Sequence, residues 1–516
     1  MSNFSFLIGQ DDYEMFAGAC VEAERAMSVS PTICALCARR AFELAVKWIY
    51  AADETIRHPY KDNLQSLVHE STFRSAIADN HLWECLQYII KAGNMAAHDH
   101  AQLKTEDSMF SLQILFRFIQ WIDYSYGRNY AKRVFDPKQV PAMRQALATK
   151  ERKAKEDTAR KEYEAQAAQQ AEHVAQLEER IRALSDQLAA RKAEQPPMPQ
   201  LSADDISEAE TRRRFIDLDL RRVGWDMEHD VIAEYPVTGM EGHEGQRGYI
   251  DYVLNGRDGK PIAIIEAKRT AYEPAKGLQQ ARLYADCLER RFVYRPLIFL
   301  SNGYQTYFVD DDHGSYRQVG EVFTQDDLQR IIDRRHDASD PAAIPVDLSV
   351  AGGDGRYYQL EAIRAVCDNL NQGQRRSLLV MATGTGKTRV SAALADVLMR
   401  ARLVKNILFL ADRVELVSQA NSAYGEYYPD WSLCNLCDNK HDADARVVFS
   451  TYQTMINAID AETRADGKPA FPSGHFDLII VDEAHRSIFK KYQVIFDHFD
   501  ALMVGQIGRA SCRERV

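Results

Sequence analysis

At 516 residues the chain is too long for one hydrophobic core and predicts three or four folded units. Its apolar share of 46% and charged share of 27% are those of ordinary globular proteins, and no window approaches the roughly 18 apolar residues of a bilayer span, so no membrane partner is expected. A net charge of -11 excludes a generally basic nucleic-acid binder but leaves local positive grooves open.

The opening MSNFSFLIGQDDYE has no basic stretch leading into an apolar core, so no secretory signal is read, a cytoplasmic location is expected and the cysteines should be reduced thiols. The pairs Cys34/Cys37 and Cys434/Cys437 have zinc-ligand spacing, yet neither has the second pair that completes four ligands. From about Cys20 to Tyr126, apolar residues recur at helical spacing, which predicts an α-helical domain over 1–135. Arg39, Arg40, Glu43, Asn94 and His98 form its polar set; packing and capping are the expected roles, because polar groups at bundle seams satisfy backbone or partner side chains.

A stretch over about 140–193 is rich in Ala, Glu, Lys, Gln and Arg and has no Gly or Pro after Pro141, which predicts one long helix within a 136–195 linker. Val174, Leu177, Ile181, Leu184 and Leu188 alternate steps of three and four, a seam too short for dimerisation, so an intramolecular hairpin or spacer is expected. QPPMPQ then marks a boundary.

Over 200–335, SEAETRRRFIDLDLRRVGWD reads as an amphipathic helix ending near Gly224. Two strand-like runs, RGYIDYVL and PIAIIEAK, flank NGRDGK, whose Asn255-Gly256 is a hairpin signal. Alternation puts Glu266 and Lys268 on one face, and hairpin pairing brings Asp251 beside them. Two carboxylates with a lysine suit Mg2+-dependent phosphodiester hydrolysis; an ordinary surface ion pair is the alternative. Gln280 and Tyr284 follow at i and i+4 on one helix face.

Over 345–505, SLLVMATGTGKTRVSAALADVL reads strand, glycine-rich loop, helix, an order that aims backbone N–H groups at phosphates. Thr383, Gly384, Thr385 and Gly386 form the loop, Lys387 reaches the phosphates and Thr388 takes Mg2+. FDLIIVDEAHRS is a buried strand ending in Asp482, Glu483, Ala484 and His485, where a parallel sheet presents functional carboxylates. Asp482 is expected in the Mg2+ shell, Glu483 to orient and deprotonate the attacking water, and His485 to couple nucleotide state to the rest of the motor.

These residues carry resemblances. Asp251, Glu266, Lys268, Gln280 and Tyr284, with Glu208 as a helix carboxylate, resemble the PD-(D/E)xK nucleases of the RecB-like and type I restriction branches. A-T-G-T-G-K-T with DEAH resembles helicase superfamily 2, whose motifs Ia and Ib look like ILFLADRVELVSQA and VVFSTYQTM here. That resemblance implies contacts to a DNA backbone from Arg413, Thr451 and Gln453, and adenine recognition by Gln359; core packing at a strand end is the alternative for each. The helical opener resembles the DUF4145 module of some restriction-enzyme motor subunits.

In this order the units resemble the restriction (R) subunit of type I restriction-modification enzymes. The resemblance implies a multidomain chain: a helical domain, a long helix, an α/β nuclease domain and a RecA-like α/β motor lobe with a parallel sheet. It also implies ATP-driven translocation of unmethylated duplex DNA, Mg2+-dependent cleavage, and methyltransferase and specificity subunits as partners, with S-adenosylmethionine belonging to those partners. A DNA-repair helicase-nuclease without a methyltransferase, and a non-catalytic DNA-binding remnant, are the rival readings. The closing QIGRASCRERV, 506–516, has no strand or helix logic and matches the translation of a common sequencing-library adapter letter for letter, so the natural sequence is expected to end at Gly505, before the L-T-A-T-P motif of relatives and without a second motor lobe.

Overall fold

The computed structural model describes residues 2–59, 63–77, 79–97, 103–128, 130–141, 171–182, 184–194, 208–240, 247–267, 277–292, 294–303, 305–311, 316–353, 355–382, 384–438, 442–461, 464, 468–484 and 492–509. Its contacts divide the chain into two units, Met1–Leu218 and Asp219–Val516.

The first unit is helical: α1 (Glu14–Ala26), α2 (Pro31–Ala52), α3 (Leu64–Val68), α4 (Ser71–Ile77), α5 (Asn80–Ala97), α6 (Thr105–Tyr126), α7 (Ala171–Arg182) and α8 (Ser185–Glu194), with the boundary falling inside α9 (Glu208–Arg222). Ser30 starts α2 by accepting from the N–H groups of Thr32 and Ile33, with Pro31 in the first turn, where its missing donor costs nothing. The fully buried Trp48 is the hub, meeting Tyr13, Phe16 and Tyr126 edge-on at ring distances of 5.4–5.8 Å.

One sequence expectation changes here and another takes a definite form. The expected long helix is interrupted at Leu184, a turn residue between α7 and α8, and its part over 142–170 lies outside the described residues. The apolar seam docks on the chain's own bundle: Leu177, Ile181 and Leu188 are 8%, 3% and 1% exposed against α1, α2 and α6. Breaking the helix lets both halves keep their apolar residues on one bundle, which removes more area from water than a straight rod would. A buried polar knot fastens α8: Asp53 accepts from Tyr126 Oη at 2.8 Å and from Lys192 Nζ at 2.5 Å. Burial pushes the Asp53 carboxyl up, but Lys192, Thr55 and Tyr126 together hold it below its ordinary range.

The second unit contains two six-stranded sheets. In the first, β1 (Val231–Val237), β2 (Gly248–Asn255), β3 (Pro261–Ala267), β4 (Leu297–Ser301), β5 (Thr306–Val309) and β6 (Arg317–Val319) lie in sequence order. Every pairing is antiparallel except β3 with β4, because α10 (Leu278–Phe292) carries the chain back over the sheet between them. The β2–β3 hairpin forms as the sequence predicts, but its left-handed residue is Gly259 (φ +75°), not the Asn255-Gly256 pair. Asp258 Oδ1 accepts from the N–H of Lys260 and Gly256 N–H bonds back to Lys260 O, so the tight turn sits two residues later.

After α11 (Gln325–Asp337) the second sheet begins. Its strands are β7 (Arg376–Ala382), β8 (Ile407–Ala411), β9 (Leu433–Asn435), β10 (Val447–Thr451), β11 (Leu478–Val481) and β12 (Leu502–Arg509), all parallel in the order β7-β12-β11-β8-β10-β9. Helices α12 (Tyr357–Asn371), α13 (Lys387–Arg400), α14 (Val414–Tyr427), α15 (Tyr452–Ala461) and α16 (Gln493–His498) cover it, and two buried clusters, one on each side, explain the continuous apolar runs of ILFLA, VVFS and LIIV. β12 runs four residues beyond Gly505, into the segment where the sequence shows no strand pattern; ladder bonds to β7 join backbone groups and need no side-chain pattern.

Candidate functional site

β7 leads into a loop whose Gly384 and Gly386 have φ of +78° and +86°, the left-handed region in which a side chain is strained. At Gly386 a Cβ would also lie 2.6 Å from Gln359 Nε2. Lys387 is the first residue of α13 and Thr388 is half-buried in its first turn, so free N–H groups, the helix dipole and a hydroxyl converge there. Thr385 folds onto the loop by donating from Oγ1 to Ala382 O at 2.7 Å. Thr383 lies outside the described residues.

β11 and β7 flank β12, so the ends of strands about a hundred residues apart meet on the C-terminal edge of the sheet. Lys387 Nζ lies 2.5 Å from Glu483 Oε1 and 3.9 Å from Asp482 Oδ1. Glu483 has φ +49°, a conformation unfavourable for a side-chain-bearing residue and typical of functional strand ends. Burial raises the Asp482 carboxyl above its ordinary value and Glu483 adds to that, with Lys387 opposing. Tyr452 Oη donates to Asp482 O, a support that no sequence motif announces. His485 lies outside the described residues. A lysine, a helix N-terminus, a hydroxyl and two carboxylates form the donor set that a Mg2+-nucleotide requires.

Gln359 is buried beside this loop: its Oε1 accepts from Gly352 N at 2.9 Å and its Nε2 donates to Thr385 O at 2.8 Å. In this structure the amide therefore braces the phosphate loop. Arg413 caps α14 at the end of β8 and is exposed. Thr451 ends β10, and its hydroxyl accepts from Thr454 N at 3.2 Å, which is a helix-capping role. Gln453 follows, with its Nε2 buried and making no hydrogen bond among the described residues.

In the other sheet, β2–β3 pairing joins Tyr252 to Ile265, and the same register puts Asp251 across from Glu266. Asp251 is half-buried and accepts from Ala267 N at 2.7 Å; Glu266 is 3% exposed at the end of β3. A carboxylate buried at a strand end beside a second one suits a hard cation, which accepts one or two carboxylates and completes its shell with water and phosphate oxygens. Among the described residues no three Asp, Glu, His or Cys side chains cluster as metal ligands. Lys268 lies outside the described residues, as does the side chain of Glu208, the first residue of α9. Gln280 Nε2 donates to Tyr284 Oη at 2.7 Å, and the Tyr284 ring packs so closely on Gly248 that a Cβ there would lie 2.7 Å from Cε1. The pair therefore sits over the strand that carries Asp251.

A parallel-sheet lobe with this phosphate loop is joined to a sheet with paired carboxylates, and the family models that match these two parts are described as those of restriction enzymes. Residues 353–506 match the family described as type III restriction enzyme, res subunit; residues 228–317 match the type I restriction enzyme R protein N terminus; residues 21–156 match the domain of unknown function DUF4145. In sequence the chain is similar to the HsdR-like endonuclease subunits of type I restriction enzymes. It is 29% identical over 327 residues to the EcoAI endonuclease subunit of Escherichia coli, covering 59% of this chain and 39% of that protein. Against the EcoKI endonuclease subunit of Escherichia coli K12, identity is 25% over 393 residues, covering 58% of this chain and 32% of that protein. The matched part thus spans about a third to two fifths of the length of these relatives. A solved fragment assigned to the HsdR subunit of a type I restriction enzyme from Vibrio vulnificus YJ016 is 25% identical, with 59% of this chain and 56% of that one covered and a TM-score of 0.24. Among the described residues no helix is long and apolar enough to cross a membrane.

Proposed function

We propose that this chain supplies the nuclease domain and first motor lobe of a type I restriction subunit, acting on unmethylated duplex DNA in complex with methyltransferase and specificity subunits. The observation that carries this is the presence in one chain of two separate carboxylate sites, Asp251 with Glu266 at one sheet and Asp482 with Glu483 facing Lys387 at the other. Only the second lies at a phosphate loop, so one site suits nucleotide hydrolysis and the other phosphodiester cleavage.

At the motor site Lys387 and the α13 N-terminus bind phosphate oxygens, Thr388 and Asp482 hold the cation, and Glu483 orients the attacking water and takes its proton. ATP with Mg2+ supplies the phosphoryl group whose transfer drives translocation. At the nuclease site Asp251 and Glu266 would hold Mg2+, Lys268 would stabilise developing charge, and Gln280 with Tyr284 would orient the DNA backbone. Arg413 follows β8, Thr451 ends β10 and Gln453 lies in the first turn of α15, on the edge that carries Asp482; Arg413, exposed and cationic, is the best fitted of them to a phosphate oxygen. S-adenosylmethionine enters through the partner subunits, and the protein works in the cytoplasm.

The test is a complete reading frame assembled with its partners. Lys387→Ala should abolish ATPase and cleavage together, because cleavage follows translocation, whereas Asp251→Ala should abolish cleavage and spare ATPase. Retention of DNA cutting by Asp251→Ala overturns the nuclease assignment.

A further inference from the structure

The last strand and helix of the nuclease-side sheet meet the motor sheet at the edge opposite the phosphate loop. Asp500 lies just before β12, and Arg317 of β6 grips it with two bonds, Nε at 2.6 Å and Nη2 at 2.7 Å, while Arg375, just before β7, adds a third at 2.8 Å. Asp477 lies just before β11 and is 5% exposed. It accepts from Arg330 Nε at 3.1 Å, from Arg334 Nη2, and from the N–H groups of Lys405 and Asn406. Between these clusters two glycines let side chains of the facing part pack directly on the backbone. A Cβ at Gly320 would lie 2.8 Å from Ser473 Oγ, and one at Gly474 would lie 2.9 Å from Phe323 Cγ. Glu321, buried, accepts from Arg222 and from Ser473 N.

Charges this buried persist only when paired and hydrogen-bonded, and both aspartates are. Each is held below the ordinary carboxylate range: burial raises it, but Arg375 and Arg317 for Asp500, and Arg334 and Arg330 for Asp477, more than offset that. The placement is specific. β11 ends in Asp482 and Glu483, β12 separates β11 from β7, and β7 ends at the phosphate loop. The arginines on the other side come from β6 and α11 of the nuclease-side sheet.

We propose that Asp477 and Asp500 are positioning residues that fasten the nuclease-side sheet to the starts of β11 and β12, so that a nucleotide-driven shift of those strands carries the Asp251–Glu266 sheet with the motor lobe. This rests on the function proposed above. Rigid strands transmit displacement along their length, and a bidentate arginine–carboxylate pair resists both sliding and rotation.

The test uses the 516-residue chain and two readouts. In thermal unfolding, the second unit of the wild type should melt in one transition, and Asp477→Asn with Asp500→Asn should split it in two. In hydrogen exchange, the analogue AMP-PNP with Mg2+ should slow amides across 317–337 by about tenfold in the wild type. The double variant should still bind the analogue without that protection. Should the double variant not fold, Arg317→Gln, which leaves Arg375 on Asp500, carries the same expectation. Wild-type-like protection or a single unshifted transition in the uncoupled variants overturns the proposal, as does a wild type that binds AMP-PNP without changing 317–337. A wild type that binds no AMP-PNP overturns the motor reading instead, and the fastening then stands or falls on the melting result.

Discussion

Lys387 Nζ is bonded to Glu483 Oε1 at 2.5 Å, so the cation proposed to bind phosphate is held by the carboxylate proposed to activate water. Binding a nucleotide must break this pair, which gives Glu483 a second effect besides chemistry. Glu483→Gln should therefore abolish hydrolysis in the complete protein yet tighten nucleotide binding. The gain is at most about tenfold, since the Glu483 side chain is partly exposed and the pair partly screened. Fluorescent-nucleotide titration checks this, and weaker binding by the variant would refute the competition.

Removing the cation works in the opposite direction. Lys387→Ala should lower nucleotide affinity by at least about tenfold, because a charge-assisted bond is worth roughly 1.5–3 kcal/mol. Melting of the first unit should not move. A variant with unchanged affinity would show that the loop binds phosphate through backbone N–H groups alone.

The seam of α7 and α8 is a stability element. Leu188→Ala, at a position 1% exposed, should cost the first unit about 2–5 kcal/mol. Self-association should be unaffected, since the seam is occupied by the chain's own bundle. Denaturant unfolding and sedimentation measure the two effects, and a change in oligomeric state with no loss of stability would contradict the docking.

Acid should loosen the second unit in two stages. Burial pushes His475 down to about 3, with Arg330 and Arg464 adding to the effect, so the folded state resists a proton that the unfolded chain takes up at about 6.5. A depressed histidine contributes stability that is present above 6.5 and is lost as pH falls toward 3. Asp477 and Asp500, also depressed, contribute stability present above about 4 and lost below it. Melting temperature should decline from about pH 6.5 downward and fall more steeply below about 4, and His475→Gln should flatten the first stage only. A melting temperature that stays flat between pH 7 and 4.5 would contradict a buried neutral His475.

Much of the site was legible because its chemistry is local. The phosphate loop needs glycines at alternate left-handed positions and a lysine at a helix start, so GTGKT states its own geometry, and the observed φ values follow from it. Strand alternation and a hairpin likewise fix Asp251 opposite Glu266 by register. Gln280 and Tyr284 are joined because i and i+4 share a helix face. Less of the supporting structure was legible. Gln359 turns out to brace the loop, and Thr451 to cap α15, since a side chain's partner depends on which loop packs beside it.

By itself, then, the sequence determined most element types, the facing of Asp251 and Glu266 and the glycine loop, all set by patterns within about twenty residues. Only the tertiary structure decided that the leucine seam folds back on its own bundle, that Lys387 meets Glu483, and that the two sheets are tied through Asp477 and Asp500. Arg317 and Asp500 stand 183 positions apart. No spacing rule links them, because burial pairs charges by proximity in the folded core and not by order along the chain.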